Sequence, residues 1–316
     1  MNCWMSSVTH QASAMDRDSV KRTKKKLAVV IMGATGTGKS KLSIDLSSKI
    51  PAEIVNSDKM QVYKGLDILT NKITGEEQCG IRHHLLGIAD PTSDFTAEDF
   101  CDKATQAVDS ISSRGLLPII VGGSNSFVEA LVDDKDLSFR SKYDCCFLWV
   151  DVEMPVLHNF VSERVDQMVQ RGLVDEARDM FDPSADYSKG IRRSIGIPEL
   201  DGYLRSEVFL DEASRKKSLE ASIRAMKVNT CHLAVRQVEK IRRLRDVRRW
   251  EIHRIDATKV FLKAGEEANQ AWENKVARRS LCIVSKALYG MSNNAKAATP
   301  PALRTLRKYK ATECLV

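Results

Sequence analysis

The chain has 316 residues, of which 43% are hydrophobic and 29% charged, and its formal net charge is +7. This composition is typical of a globular protein with one large domain, or with one domain and a smaller appendage, and no segment approaches the ~18 consecutive apolar residues of a membrane-spanning helix. Eight scattered cysteines without a C-x-x-C pair argue against a zinc module and favour reduced thiols inside a cell.

Residues 1–26 precede the first apolar segment. They lack apolar periodicity and combine Ser, Thr and basic residues with the acids Asp16 and Asp18. This composition fits a disordered leader or a short organellar transit segment. We therefore expect a plastid or a cytoplasmic location.

A glycine-rich turn follows the first predicted strand, "LAVVIM" at 27–32, and leads into a helix-like pattern. Its spacing matches G-x-x-x-x-G-K-[ST], in which backbone N–H groups and the lysine hold phosphate oxygens and the hydroxyl reaches Mg²⁺. The sequence thus predicts a phosphate clamp with a magnesium ligand at Ser40, and the motif alone does not say which molecule carries the phosphate. The predicted phosphate-binding residues are Gly33, Ala34, Thr35, Gly36, Thr37, Gly38, Lys39 and Ser40.

A carboxylate, Asp58, ends the second predicted strand at 52–58. At that position it is suited to accept a proton from a nucleophile that attacks next to the clamped phosphate. The spacing fits a helix-capping or surface acid equally well. In a small-molecule kinase the same residue would serve a hydroxyl group.

The remaining strands are predicted at 116–123, 145–151 and 251–258, with a helix over 96–113 between the second and third. Apolar strands that alternate with helices predict an α/β fold, with a parallel sheet of about five strands flanked by helices. Ligands bind such sheets beyond the carboxyl ends of the strands. We therefore expect the P-loop, Asp58, Ser124 in "GGSNS" and Asp151 at one rim, where Asp151 could hold a metal ion for a kinase.

Residues 155–250 have helical spacing and predict a smaller helical insertion or lid over a core formed by 27–154 and 251–290. The tail 291–316 is predicted to be flexible. Twelve Lys or Arg and three acids occupy 215–249. Within this segment Lys227 is a candidate contact for the phosphates of an acceptor, and a solvated basic face is the competing interpretation.

Several motifs together resemble the isopentenyltransferases, from about Leu27 to Val260. They are "GATGTGKS", "NSDKMQVYKGLDI", "RHHLLG", "DFTAEDF", "GGSNSF", "FLWVDVEMPVLHNFVSERVDQMVQRGLVDE" and "GIRRSIGIPE". The segments "YDCCFLWVDV", "KVNTCHLAVRQVEKI" and "HRIDAT" are similar to the plant adenylate branch, which acts in cytokinin biosynthesis.

The resemblance implies a P-loop NTPase-like fold and transfer of a dimethylallyl group from dimethylallyl diphosphate to the N6 amine of a free adenine nucleotide. A contact of Lys227 or a neighbouring cation with the acceptor phosphates would favour ATP or ADP over AMP. The resemblance also implies that the P-loop and Mg²⁺ hold the donor diphosphate, that Ser124 and Arg193 join them, and that Asp58 accepts the N6 proton. A tRNA dimethylallyltransferase is the main alternative and a P-loop small-molecule kinase the second. A nucleic-acid-binding NTPase is less favoured, because no aromatic residues interleave with the basic segment. The oligomeric state is open, with a monomer favoured.

Overall fold

The computed structural model describes residues 25–133 and 139–293, with side chains to residue 290. The leader prediction falls almost entirely outside these ranges, as does the tail prediction beyond residue 293. None of the helices in the described ranges combines the length and the apolar character needed to cross a bilayer.

One sheet of six parallel strands forms the centre of the protein. Its strands are β1 (Lys26–Met32), β2 (Ala52–Asn56), β3 (His83–His84), β4 (Leu117–Val121), β5 (Tyr143–Asp151) and β6 (Ile252–Asp256). Their order across the sheet is β3-β2-β4-β1-β5-β6. The predicted parallel sheet is confirmed, with six strands where about five were expected.

The central strand β1 is buried from Leu27 to Met32 because β4 and β5 cover both its edges and helices cover the sheet. This continuous burial explains the unbroken apolar run in its sequence. By contrast, β3 is a two-residue edge strand, with His83 beside Ile54 and His84 beside Val55. Two histidines carry no strand pattern, so the sequence did not predict this strand.

Helices follow the strands in the alternation expected for this fold. They are α1 (Lys39–Ser47), α2 (Ala97–Ser113), α3 (Asn125–Asp133), α4 (Phe139–Lys142), α5 (Met154–Gln170), α6 (Leu173–Asp179), α7 (Ile197–Ser206), α8 (Glu212–Asp246), α9 (Thr258–Phe261), α10 (Gly265–Trp272) and α11 (Arg278–Asn293). A 3₁₀ turn spans Gly190–Arg193 and a π-helical turn joins α10 to α11. The predicted helix 96–113 is α2, which begins after a capping box between Thr96 and Asp99.

The helical region between β5 and β6 contains α5 to α8, in agreement with the spacing in the sequence. The 35-residue α8 packs along α5 and α7 and reaches α3 on the sheet. Its buried side chains include Met226 and Val238. The division of the chain into a core and a lid stays a prediction.

A buried carboxylate connects the edge strand of the sheet to the neighbouring strand. Glu53 on β2 accepts hydrogen bonds from the guanidinium of Arg114, at 2.7 Å between Nη2 and Oε2, and its Oε2 is 2.7 Å from Nε2 of His84. The Arg114 hydrogen bonds, with help from His84, lower the pKa of Glu53 to about 2. The charged carboxylate is therefore favoured in the folded protein.

We expect Glu53→Gln to lower the free energy of unfolding by on the order of 1 kcal/mol at pH 7, because the neutral amide loses the charge-assisted hydrogen bonds to Arg114, whose side chain is partly exposed to solvent. The folded-state pKa is depressed, so the contribution of Glu53 is complete above about pH 4.5 and is lost as the pH falls toward about 2. Urea unfolding over pH 3 to 7 measures the effect, with the exposed Glu251→Gln as control. A pH-independent difference between Glu53→Gln and the wild type would contradict this account.

Candidate active site

A cavity of about 650 Å³ opens beyond the carboxyl ends of β1, β2 and β4. Its walls are the P-loop before α1, the segment after β2, the turn after β4, and side chains from α5 and α8. Among the described residues its lining contains six Lys or Arg side chains and a single carboxylate, Asp58. The cations are Lys39, Lys41, Lys59, Arg164, Arg193 and Arg236. Such a cavity attracts a ligand with several negative charges.

The P-loop adopts the geometry that its glycines allow. Gly38 immediately precedes α1 with a φ of +87°, and a Cβ there would lie 2.6 Å from the ring of Trp272. The turn therefore aims the start of α1, with its free N–H groups, into the cavity. Of the predicted phosphate-binding residues, five line the cavity, whereas Gly33, Ala34 and Thr37 are buried and do not line it. The five are Thr35, Gly36, Gly38, Lys39 and Ser40.

Lys39 is the first residue of α1 and is buried. Its Nζ donates a hydrogen bond of 2.6 Å to the carbonyl oxygen of Ala34 within the same loop. Burial lowers the pKa of Lys39 to about 8; nearby Asp58 opposes this shift and Arg164 reinforces it. A charge that is costly in the free protein gains most from a bound anion.

Asp58 lies beyond the carboxyl end of β2, and its two carboxylate oxygens have different surroundings. Its Oδ1 caps the following turn by accepting hydrogen bonds from the backbone N–H of Met60, at 3.0 Å, and of Gln61, at 3.4 Å. Its Oδ2 accepts no hydrogen bond from the described residues and lies 3.3 Å from the position that a Cβ on Gly123 would take. One oxygen therefore fixes the carboxylate, and the other is left for a ligand in the cavity.

Ser124 and Arg193 both line the cavity, as the resemblance implied. The Ser124 hydroxyl accepts a hydrogen bond of 2.8 Å from the backbone N–H of Lys59, so it also fixes the segment that carries Asp58. Arg193, at the end of the 3₁₀ turn, donates from Nη2 to Asp94, at 2.9 Å, and to the hydroxyl of Tyr63, at 3.3 Å. Each side chain is thus anchored at the cavity wall.

Two other residues do not reach the cavity. Lys227 on α8 is outside the lining and forms an ion pair of 2.7 Å with Asp166 on α5. Asp151 does end β5 at the predicted rim, but its carboxylate is buried and bound by Arg254 of the neighbouring β6, at 2.6 Å. The geometry therefore supports neither an acceptor contact for Lys227 nor a metal-binding role for Asp151.

Arg164 enters the cavity from α5 and was not among the predicted site residues. Its Nη2 donates to the hydroxyl of Thr35 in the P-loop, at 2.8 Å, and its Nε is buried without a hydrogen-bond partner. Burial lowers the pKa of Arg164 to about 10, and nearby Asp58 opposes that shift. Its place three residues after the buried Val161 and one before the buried Val165 was the available signal, because it puts a cation on the apolar face of α5.

Three further lining residues were also missed. Lys59 follows Asp58, and burial, together with Arg193, lowers the pKa of its amine. Arg236 and Gln237 come from α8. The motifs identified the loops of the site, whereas the positions of Arg236 and Gln237 depend on how α8 is placed above the sheet.

The donor set also bears on a metal ion. Among the described residues no three His, Cys, Asp or Glu side chains come close enough together to form a protein-only metal site. The exposed Ser40 at the start of α1 lines the cavity and offers one hydroxyl oxygen. One protein oxygen fits Mg²⁺ that arrives with phosphate oxygens and keeps several waters.

Comparisons with known proteins agree with one another. The family model described as "IPP transferase" matches residues 61–141 and 134–244. Adenylate isopentenyltransferase 5, chloroplastic, of Arabidopsis thaliana is 58% identical over 89% of this chain and 86% of its own length. Adenylate isopentenyltransferase 7, mitochondrial, of the same plant is 50% identical over 86% of this chain and 83% of its own. Among solved structures, a eukaryotic dimethylallyltransferase acting on tRNA superposes with a TM-score of 0.69 at 25% identity, over 89% of this chain and 84% of that one.

Proposed function

The chain belongs to the IPP transferase family, among the plant adenylate isopentenyltransferases, and from this premise we propose that it transfers the dimethylallyl group of dimethylallyl diphosphate to the N6 amine of a free adenine nucleotide. The product is an isopentenyladenine nucleotide, the first product of cytokinin synthesis. The observation that carries this proposal is the free Oδ2 of Asp58 at the wall of a cavity that is otherwise cationic.

The acceptor amine needs a base, because its lone pair is delocalised into the purine ring. As N6 bonds to C1 of the dimethylallyl group, the bond between C1 and the diphosphate oxygen breaks, and the N6 proton passes to Oδ2 of Asp58. The hydrogen bonds to Oδ1 hold the carboxylate in place for that transfer. Asp58 therefore orients the amine and then accepts its proton.

The leaving diphosphate needs positive charge. Three groups meet at the P-loop: Lys39, the N–H groups at the start of α1, and the guanidinium of Arg164, whose Nε has no hydrogen-bond partner. They would stabilise the charge that develops on the leaving oxygen. Ser124 and Arg193 stand at the same wall and would contact the outer diphosphate oxygens. Mg²⁺ held by Ser40 would neutralise part of the diphosphate charge when it is bound.

The free nucleotide is favoured over tRNA as acceptor. The curated relatives with 50–58% identity are named adenylate enzymes, whereas the tRNA-acting structure is only 25% identical. The lining cations beyond those at the P-loop, such as Lys59 and Arg236, favour ADP or ATP over AMP. Of these two relatives, the more similar one is named chloroplastic and the other mitochondrial, and we propose a plastid location for this chain.

Mass spectrometry of the products tests the function. The protein is incubated with dimethylallyl diphosphate, Mg²⁺ and equal amounts of AMP, ADP and ATP, and in a parallel reaction with unmodified tRNA. We expect prenylated ADP and ATP ahead of prenylated AMP, and unchanged tRNA. Prenylation of tRNA alone would establish the tRNA alternative, and no prenylated product in either reaction would refute the proposal.

The ionisation of Lys39 predicts a pH dependence. With a pKa of about 8 in the free protein, the amine loses its charge as the pH rises through that value. We expect kcat/KM for dimethylallyl diphosphate to fall above about pH 8, and kcat to fall only at higher pH, since the bound diphosphate raises the pKa of Lys39.

Steady-state rates between pH 6 and 10 measure the pH dependence of both kcat/KM and kcat. In Lys39→Arg the guanidinium stays protonated, so its profile should lack the fall near pH 8 at any level of activity. The same fall in Lys39→Arg would assign the ionisation to another group.

A further inference from the structure

Gln237 on α8 bridges two loops that hold opposite sides of the proposed donor site. Its Oε1 accepts a hydrogen bond of 2.7 Å from the backbone N–H of Thr35 in the P-loop. Its Nε2 donates a hydrogen bond of 3.0 Å to the carbonyl oxygen of Gly123 in the turn after β4. One carboxamide thus fixes the gap between these two backbones.

The backbone of Gln237 is also held in place, by a hydrogen bond and by the packing of its neighbours. Its carbonyl oxygen accepts a hydrogen bond of 3.1 Å from Nδ2 of the buried Asn125, the first residue of α3. The buried Val238 and Ala234 pack the same stretch of α8 into the core. Helix α8 is therefore docked on the β4–α3 turn, and Gln237 extends that contact to the P-loop.

The β4–α3 turn allows the side chain of Gln237 to approach it closely. A Cβ on Gly123 would lie 2.5 Å from Nε2 of Gln237 and 3.3 Å from Oδ2 of Asp58. Only a residue without a side chain lets the carboxamide and the carboxylate approach the same point. The position of Gln237 is consequently tied to that of the proposed base.

We propose that Gln237 is a positioning residue that sets the distance between the P-loop and the Gly123 turn, and thereby the distance between the donor diphosphate and Asp58. This role rests on the proposed function. Loss of the carboxamide would free the N–H of Thr35 and the carbonyl of Gly123, and the two loops could drift apart. Misplacement of reacting groups by about 1 Å costs up to about 100-fold in rate.

The test uses Gln237→Met, which keeps the length of the side chain and removes both hydrogen bonds. The exposed Glu239→Met, two residues along the same helix, is the matched control. We expect Gln237→Met to lose roughly 10- to 100-fold in kcat/KM for dimethylallyl diphosphate. We also expect kcat to fall and calorimetric binding of inorganic diphosphate with Mg²⁺ to weaken about fivefold or more. Glu239→Met should match the wild type.

A purely structural role would lower the melting temperature and the active fraction while leaving KM and the diphosphate Kd of the folded protein unchanged, and that result would overturn the proposal. If Gln237→Met does not fold, Gln237→Glu replaces it, since its carboxylate still accepts from Thr35 but faces the Gly123 carbonyl without a donor. Wild-type turnover and diphosphate affinity in Gln237→Glu would likewise overturn the proposal. Failure of the wild type to prenylate any nucleotide would instead refute the proposed function, while the diphosphate measurements would still judge Gln237.

Discussion

Asp58→Asn is expected to reduce kcat by about 100-fold or more, because the substitution removes the proton acceptor and little else. The amide oxygen can still accept the hydrogen bonds that Oδ1 receives from Met60 and Gln61, so the turn should keep its shape. In place of the free Oδ2, the amide presents N–H groups that cannot take a proton from N6. The loss should fall mainly on kcat, with KM for both substrates changed by much less.

A matched control for this substitution is Asp90→Asn. Asp90 caps its own turn in the same manner, with Oδ1 accepting from the N–H of Thr92 at 2.9 Å, but it lies outside the cavity lining. We expect wild-type kinetics from that variant. A kcat for Asp58→Asn within tenfold of the wild type would show that another group accepts the proton.

Lys39→Met is expected to lower kcat/KM for dimethylallyl diphosphate by about 100- to 1000-fold, the usual cost of removing a donor that stabilises developing charge. The methionine fills nearly the same buried volume without a charge. Burial depresses the pKa of Lys39 to about 8, so the buried ammonium destabilises the ligand-free folded protein at pH 7. Its removal should therefore raise the melting temperature.

These opposite changes, less activity and more stability, distinguish a functional lysine from a structural one. The comparison is Lys103→Met on the exposed side of α2, which should alter neither activity nor stability appreciably. Thermal unfolding and steady-state kinetics on the same preparations provide both readings. A lower melting temperature for Lys39→Met, with activity lost in proportion to the unfolded fraction, would contradict the account.

The parts of the structure that depend on local sequence were predictable. The buried strand β1 and the turn at 33–40 follow from an apolar run and a fixed glycine spacing, which act within a few residues. Asp58 and Ser124 were predictable as well, because parallel strands deliver their carboxyl ends to one rim. The two-residue β3 was not, since it pairs with residues of β2 that are distant in the sequence and is too short to show a strand pattern.

Which side chains of the helical region enter the cavity depends on contacts between helices that the sequence does not reveal. A 35-residue helix with many cations presents several of them on each side, and the rotation of α8 against α5 decides which ones enter the cavity. That rotation brings in Arg236 and pairs Lys227 with Asp166. Arg164 was not predicted because the apolar residues around it dominate the pattern of α5.

The central claim is that the P-loop holds the diphosphate of the prenyl donor and leaves the phosphates of the nucleotide intact. ATP labelled in its γ-phosphate, incubated with the protein, Mg²⁺ and dimethylallyl diphosphate, tests this claim directly. We predict that the label stays on the nucleotide, which becomes prenylated, while unlabelled diphosphate is released in equal amount. Label on another acceptor or in free phosphate, without prenylated nucleotide, would show that the P-loop serves phosphoryl transfer and would contradict the account.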